Sequence, residues 1–213
     1  MKIQTLLASL LVSGAAMAQT PTMKPIVMKT PNEFYILAAS GNGKWACGTY
    51  SDYSNEQYGF LWNLETGEIE MLDPSKPSVA WAVSDDGLVV GTFEDTSYKS
   101  NGAAVELAGY WANGKWNRFE MPSDDVTSSG AASISPDGHY VTGNVQESGI
   151  YTGYIWKDGK IVKELPNTNC SMPYAIAPDG QSAAGWIERD NRTACIWEAD
   201  GEVTFLSEYQ SPW

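Results

Sequence analysis

The chain has 213 residues, 43% hydrophobic and 12% aromatic, with a formal net charge of −13. That size and apolar content suit one domain, including a large all-β one, and 20 Gly with 11 Pro point to many turns rather than long helices. Twice as many acidic as basic side chains (26 against 13) exclude nucleic acid as a natural partner, because such a surface repels phosphate backbones; the excess charge serves solubility.

Residues 1–18, MKIQTLLASLLVSGAAMA, carry Lys2, an apolar stretch from Leu6 to Val12, and Ala16-Met17-Ala18. Small residues at these last positions fit a signal peptidase pocket, so the segment reads as a signal peptide cleaved after Ala18. Its apolar stretch is too short to cross ~30 Å of hydrocarbon. No later segment reads as a transmembrane span. The expected location is outside the cytoplasmic membrane: periplasmic, cell-surface or extracellular. Residues 19–33 follow as an N-terminal segment. Within it Ile26–Lys29 reads as an orphan closing strand, because PIVMKTPNEFYILAAS (25–40) resembles KIVKELPNTNCSMPYAIA (160–177).

Four units then repeat, over approximately 34–72, 79–121, 130–166 and 173–206. Their first halves are ILAASGNGKWACGT, AWAVSDDGLVVGT, AASISPDGHYVTGN and PYAIAPDGQSAAGW. Their second halves are GFLWNLETGEIEML, GYWANGKWNRF, GYIWKDGKIVKEL and ACIWEADGEVTFL. Gly48, Gly91, Gly143 and Gly185 mark the period, as do Trp62, Trp111, Trp156 and Trp197. A period of roughly 40–50 residues built from short strands predicts propeller blades, each of four antiparallel strands a, b, c and d. The Asp-Gly turns join a to b, since Asp tolerates the bend and Gly supplies positive φ. Strand a carries small residues at equivalent positions (Ala38, Ala82, Ser133, Ala175), as expected where inner strands converge. The recurrent Trp on strand c is expected to fill the space between sheets.

The pattern A-x-A-I-S-x-D-G-x-x-V-x-G followed by G-F-L-W-x-x-G-x-x-x-L resembles the HAF-type repeats of bacterial extracellular proteins, similar in appearance to WD- and kelch-type propellers. The resemblance covers about Phe34 to Leu206 and departs from the pattern at Gly41-Asn42-Gly43, and in the second unit, one residue short before Gly91. It implies an all-β propeller and nothing specific about activity. One orphan strand plus four complete units, with Pro212-Trp213 matching Pro173-Tyr174, reads as an incomplete ring whose fifth unit starts at 212–213. An open arc, an oligomeric ring and a four-bladed ring with a redundant strand are the alternatives.

The search for chemistry is mostly negative. His139 is the single histidine and follows a turn, which disfavours a Ser-His-Asp or Cys-His site. The turn residues Asp85, Asp86, Asp137 and Asp179 are too dispersed for a cation loop. No cofactor, metal site or catalytic residue is expected. Cys47 and Cys195 lie in apolar runs as buried hydrophobes, and with Cys170 they make an odd count without a disulfide framework, although one pair is open. Variable b–c and d–a loops share one face, where binding residues gather on rigid scaffolds. The candidate ligand contacts there are Tyr50, Asp52, Tyr53, Glu94, Asp95, Tyr98, Tyr151, Glu188 and Arg189. The stretch Phe93–Ala108 is the loop of greatest interest. The expected function is non-enzymatic binding or scaffolding, with a glycan, a peptide or an envelope protein as partner. The alternatives are a carbohydrate-active hydrolase or lyase, using two loop carboxylates ~5–9.5 Å apart, and a purely structural envelope domain.

Overall fold

A computed structural model describes residues 33–51, 56–100, 102–166 and 169–206, all within the compact unit Asn32–Trp213. The signal peptide, the orphan strand, Asp52, Tyr53 and Pro212-Trp213 lie outside the described residues. The described residues form four four-stranded antiparallel sheets, the all-β arrangement expected of blades. The first contains β1 (Glu33–Ala39), β2 (Trp45–Ser51), β3 (Gln57–Asn63) and β4 (Ile69–Met71). The second contains β5 (Ser78–Val83), β6 (Val89–Ser100), β7 (Ala103–Ala112) and β8 (Lys115–Arg118). The third contains β9 (Val126–Ile134), β10 (Tyr140–Glu147), β11 (Ile150–Lys157) and β12 (Lys160–Glu164). The fourth contains β13 (Ser171–Ile176), β14 (Ala183–Glu188), β15 (Arg192–Trp197) and β16 (Val203–Phe205). Strand order within every sheet is chain order, as hairpin connections dictate.

Three of the four a–b turns share a serine that shapes the bend, while the fourth has Ala177 there and closes with backbone bonds. The Ser135 hydroxyl donates to Asp137 at 2.5 Å and accepts the Tyr140 N–H at 2.9 Å. Ser84 likewise donates to Asp86 and accepts the Leu88 N–H. In the first unit Asn42 stands in for the aspartate: Ser40 donates to its Oδ1 at 2.8 Å and accepts the Trp45 N–H at 3.0 Å. The departure from the repeat pattern at Gly41-Asn42-Gly43 therefore keeps the same hydrogen-bonded turn.

Each sheet packs on the next through the next sheet's first strand. β5 lies against β1, β2 and β3; β9 against β5, β6 and β7; β13 against β9, β10 and β11. One hydroxyl fastens each junction. The backbone N–H groups of Gly59, Ala108 and Gly153 donate to the Oγ atoms of Ser78, Ser129 and Ser171 at 3.0, 2.8 and 2.7 Å. All three serines are buried. Without them those N–H groups would be orphaned in the interior.

The recurrent tryptophans of the third and fourth sheets point back to the preceding sheet. Trp156 Nε1 donates to the Glu120 carbonyl at 2.8 Å and Trp197 Nε1 to the Pro166 carbonyl at 2.9 Å. Both rings are fully buried. In the second sheet the roles divide. Trp111 is half-buried and donates to Glu70 at 2.9 Å, while Trp116 from β8 goes deeper and stacks on Phe93 at 5.5 Å.

Two expectations about loops need correction. Phe93–Ala108 is largely a hairpin: β6 and β7 continue their ladder through Phe93↔Leu107, Glu94↔Glu106 and Asp95↔Val105 to Ser100↔Ala103. The alternation Phe93, Asp95 and Val105, Leu107 supplies a buried face, which a free loop lacks. The third unit's b–c connection shrinks to a tight turn, Glu147↔Ile150, with Ser148 and Gly149 both at positive φ (50° and 83°).

Candidate functional site

The recurrent glycines create the most distinctive surface feature. Gly48, Gly91, Gly143 and Gly185 pair with Ile36, Ala80, Ala131 and Pro173 on the inner strands. Just after each pair the register skips one inner-strand residue: Leu37, Trp81, Ala132 and Tyr174. These are β-bulges, in which one residue is left without a cross-strand partner and is re-aimed. The bulge draws the backbones together. A Cβ on Gly91 would lie 1.9 Å from the Val79 carbonyl oxygen, and one on Gly143 would lie 2.0 Å from that of Gly130.

Trp81 and Tyr174 are consequently exposed, at 44% and 56%. Trp81 is oriented by its Nε1–H, which donates to Thr92 Oγ1 at 3.3 Å. Between their strands β9 offers only small residues, Ser128 to Ala132, so a groove of ≈ 380 Å³ opens with Trp81, Tyr174, Met172, Asn144 and Glu106 around it. A second groove of ≈ 530 Å³ shares Trp81, Thr92 and Glu106 and adds Glu56, Gln57 and Phe93. These residues lie near the strand ends that carry the b–c and d–a connections, which is the face expected to bind.

The sequence-predicted contacts are placed differently. Tyr50 is buried in a ring stack, 5.4 Å from both Phe34 and Tyr58. Asp95 is buried and accepts from the Ser97 hydroxyl at 2.5 Å and from Arg118 at 2.9 Å. Burial pushes its carboxyl up, but the Ser97 hydrogen bonds and the Arg118 charge outweigh this and hold it below its ordinary value. Tyr98 accepts the Val126 N–H at 3.1 Å and lies under the Arg118 guanidinium at 5.0 Å. It lines a separate cleft of ≈ 500 Å³ with Arg118, Asp124 and Lys160, and burial raises its phenol pKa. Glu94 faces Glu106 across the β6–β7 ladder. Tyr151 makes a parallel bridge with Cys170. Glu188 ends β14, and the exposed Arg189 lies over the Phe205 ring at 4.5 Å. The structure thus gathers Asp95 and Tyr98 around Arg118, brings Tyr151 and Glu188 to Cys170 with Arg189 next in the chain, and holds Tyr50 apart in its ring stack.

Sequence reasoning missed Trp81 and Tyr174 as site residues. The signal was present: the repeat tolerates Ala132 at the same position, so a large ring there is not demanded by packing. His139 is exposed and pairs with Asp158 at 2.7 Å, which raises its pKa. All three cysteines are free thiols. Among the described residues no group of three His, Cys, Asp or Glu side chains could hold a metal ion, and no helix is long and apolar enough to cross a membrane.

The sequence matches no protein-family model and no curated protein. The fold does have likenesses among solved structures. TolB from Acinetobacter baumannii matches 80% of this chain and 42% of its own, with 19% identity and a TM-score of 0.55. A putative TolB from Agrobacterium tumefaciens matches 79% and 63%, with 16% identity and a TM-score of 0.56. KlAtg21, in complex with the coiled coil of AgAtg16, matches 79% and 53%, with 16% identity and a TM-score of 0.51. This chain therefore spans less than two thirds of each. The four-stranded sheets and this likeness define a β-propeller protein.

Proposed function

We propose that the protein is an exported β-propeller that binds a partner molecule, or scaffolds an assembly, through the b–c/d–a face. The observation that carries the reading is the pair of exposed rings, Trp81 and Tyr174, held at equivalent bulges around one groove. Exposed aromatics beside placed polar groups are the usual composition of a recognition surface. The signal-peptide pattern of residues 1–18 supports export. The KlAtg21 structure, which holds a coiled coil, supports a protein partner for a scaffold of this kind. Asp52, Tyr53, Glu94, Tyr151, Glu188 and Arg189 are proposed as contacts around that face.

The second reading, a carbohydrate-active hydrolase or lyase, has one observation in its favour: Glu56 and Glu106 line the same ≈ 530 Å³ groove. Titration calorimetry against peptide and oligosaccharide panels, paired with product analysis, separates the two. Binding without turnover, weakened at least tenfold by Trp81→Ala with the circular dichroism spectrum unchanged, is the expected result. Release of a shortened polysaccharide would replace the binding reading with the enzymatic one. A panel in which no ligand responds to Trp81→Ala would leave the structural-domain reading.

A further inference from the structure

Resting on the binding role proposed for the Trp81/Tyr174 groove, we infer that it recognises a cation, namely the guanidinium or ammonium group of a basic segment of a partner protein. The groove's chemistry is one-sided. Neither the ≈ 380 Å³ nor the ≈ 530 Å³ groove is lined by Lys or Arg, while Glu106 lines both. Glu106 is exposed and makes no ion pair among the described residues. It also stands directly opposite Glu94 in the β6–β7 ladder, so both carboxylates project from the same side of the hairpin. Like charges in directly opposed positions are destabilising. A ligand cation between them removes that repulsion.

The rings complete the site. A Trp or Tyr face attracts a cation within about 6 Å of its centroid, most strongly for Trp. The molecule uses this contact elsewhere on its surface: Arg192 lies over Trp186 at 4.7 Å, Arg189 over Phe205 at 4.5 Å and Lys157 over Tyr140 at 5.0 Å. Among the described residues no such cation covers Trp81 or Tyr174, the two exposed rings of the groove. The net charge of −13 draws basic partners in and turns acidic ones away. The small floor at Gly130–Ala132 leaves room for an extended side chain between the walls.

The test uses capped hexapeptides that carry two Arg or two Lys among Gly and Ser, with Gln and Glu counterparts. Affinity is measured by calorimetry at low and high salt. The Arg peptide is expected to bind best, the Gln peptide at least roughly fivefold more weakly, and the Glu peptide not measurably. Trp81→Ala, Tyr174→Ala and Glu106→Gln are each expected to weaken the Arg peptide by roughly fivefold to tenfold, whereas Glu202→Gln, a remote charge change, leaves it unaltered. Two side-chain truncations of exposed rings guard against one variant misfolding. Arg-peptide binding indifferent to both ring variants reports general attraction to an acidic surface and overturns the inference. So does a basic peptide that fails to bind at millimolar concentration. If a neutral peptide or an oligosaccharide binds equally well and depends on Trp81, the cation inference falls while the groove remains the binding site.

Discussion

Replacing Gly91 with Ala tests the link between the repeat and the groove. The added Cβ would lie 1.9 Å from the Val79 carbonyl oxygen and 3.0 Å from its carbon. Ordinary contact needs about 3.5 Å, so backbone has to move by more than 1 Å. The oxygen belongs to β5, already fixed by its ladder to β6 and by the Ser78 bond to Gly59. Relief therefore means parting the two strands at the bulge. Overpacking costs about 1–3 kcal/mol, and each backbone bond lost adds about 1 kcal/mol. With two bonds lost the total is about 3–5 kcal/mol, a large share of the usual 5–15. At an m-value of about 2 kcal/mol/M, the urea midpoint should fall by roughly 2 M. Gly102→Ala is the control. Gly102 has positive φ (83°) but nothing within 4 Å of a Cβ, so its cost is the left-handed strain alone, about 1–2 kcal/mol. Urea melts followed by circular dichroism compare the two. A Gly91→Ala midpoint no lower than that of Gly102→Ala would refute the steric account of the repeated glycine.

Ser171→Ala removes the buried hydroxyl that accepts the Gly153 N–H, and should cost about 1–3 kcal/mol in the same melts. Asp95→Asn should cost about 1.5–3 kcal/mol by weakening the charged bond to Arg118. Because the folded Asp95 pKa lies below its unfolded value, its contribution is present at neutral pH and disappears as pH falls through the depressed folded value; the wild-type and Asp95→Asn melting curves should converge in acid. His139 titrates above its ordinary pKa because Asp158 accepts its hydrogen bond and adds its charge, so the single histidine's NMR titration should shift down in Asp158→Asn. The stabilising effect of that pair is present in acid and fades as pH rises through the raised value. Burial pushes the Cys47 and Cys195 thiols up to about 12 and about 11, so at pH 8 a thiol reagent should label Cys170 first and reach the other two only on unfolding.

Much of the fold was legible because it is repetitive. The Asp-Gly turns, the spacing of Gly48, Gly91, Gly143 and Gly185, and the recurrent Trp by themselves announce four-stranded units. What failed was the reading of polar stretches as loops. Phe93–Ala108 contains Glu94, Asp95, Thr96, Ser97 and Lys99, which looks like solvent-exposed chain. It forms a ladder because Arg118 and Ser97 satisfy Asp95, so a buried carboxylate becomes tolerable there. The ring stack around Tyr50 was not legible for a related reason. Its partners Phe34 and Tyr58 are sequence-near or sequence-distant members of adjacent strands, and only the register brings the three rings into one stack.

The sequence by itself determined the class of the fold, since turn chemistry and a period of small, apolar and aromatic positions act locally and recur four times. It also determined the net acidity of the chain. Only the tertiary structure decided which rings face outward. Trp81 and Tyr174 are aromatic residues in apolar runs, and neither run taken alone distinguishes a side chain aimed into a junction from one re-aimed by a bulge; only the comparison of units, with Ala132 at the same position, hints at it. That choice depends on a glycine on the neighbouring strand, whose missing Cβ lets two backbones approach and turns one residue per inner strand toward solvent.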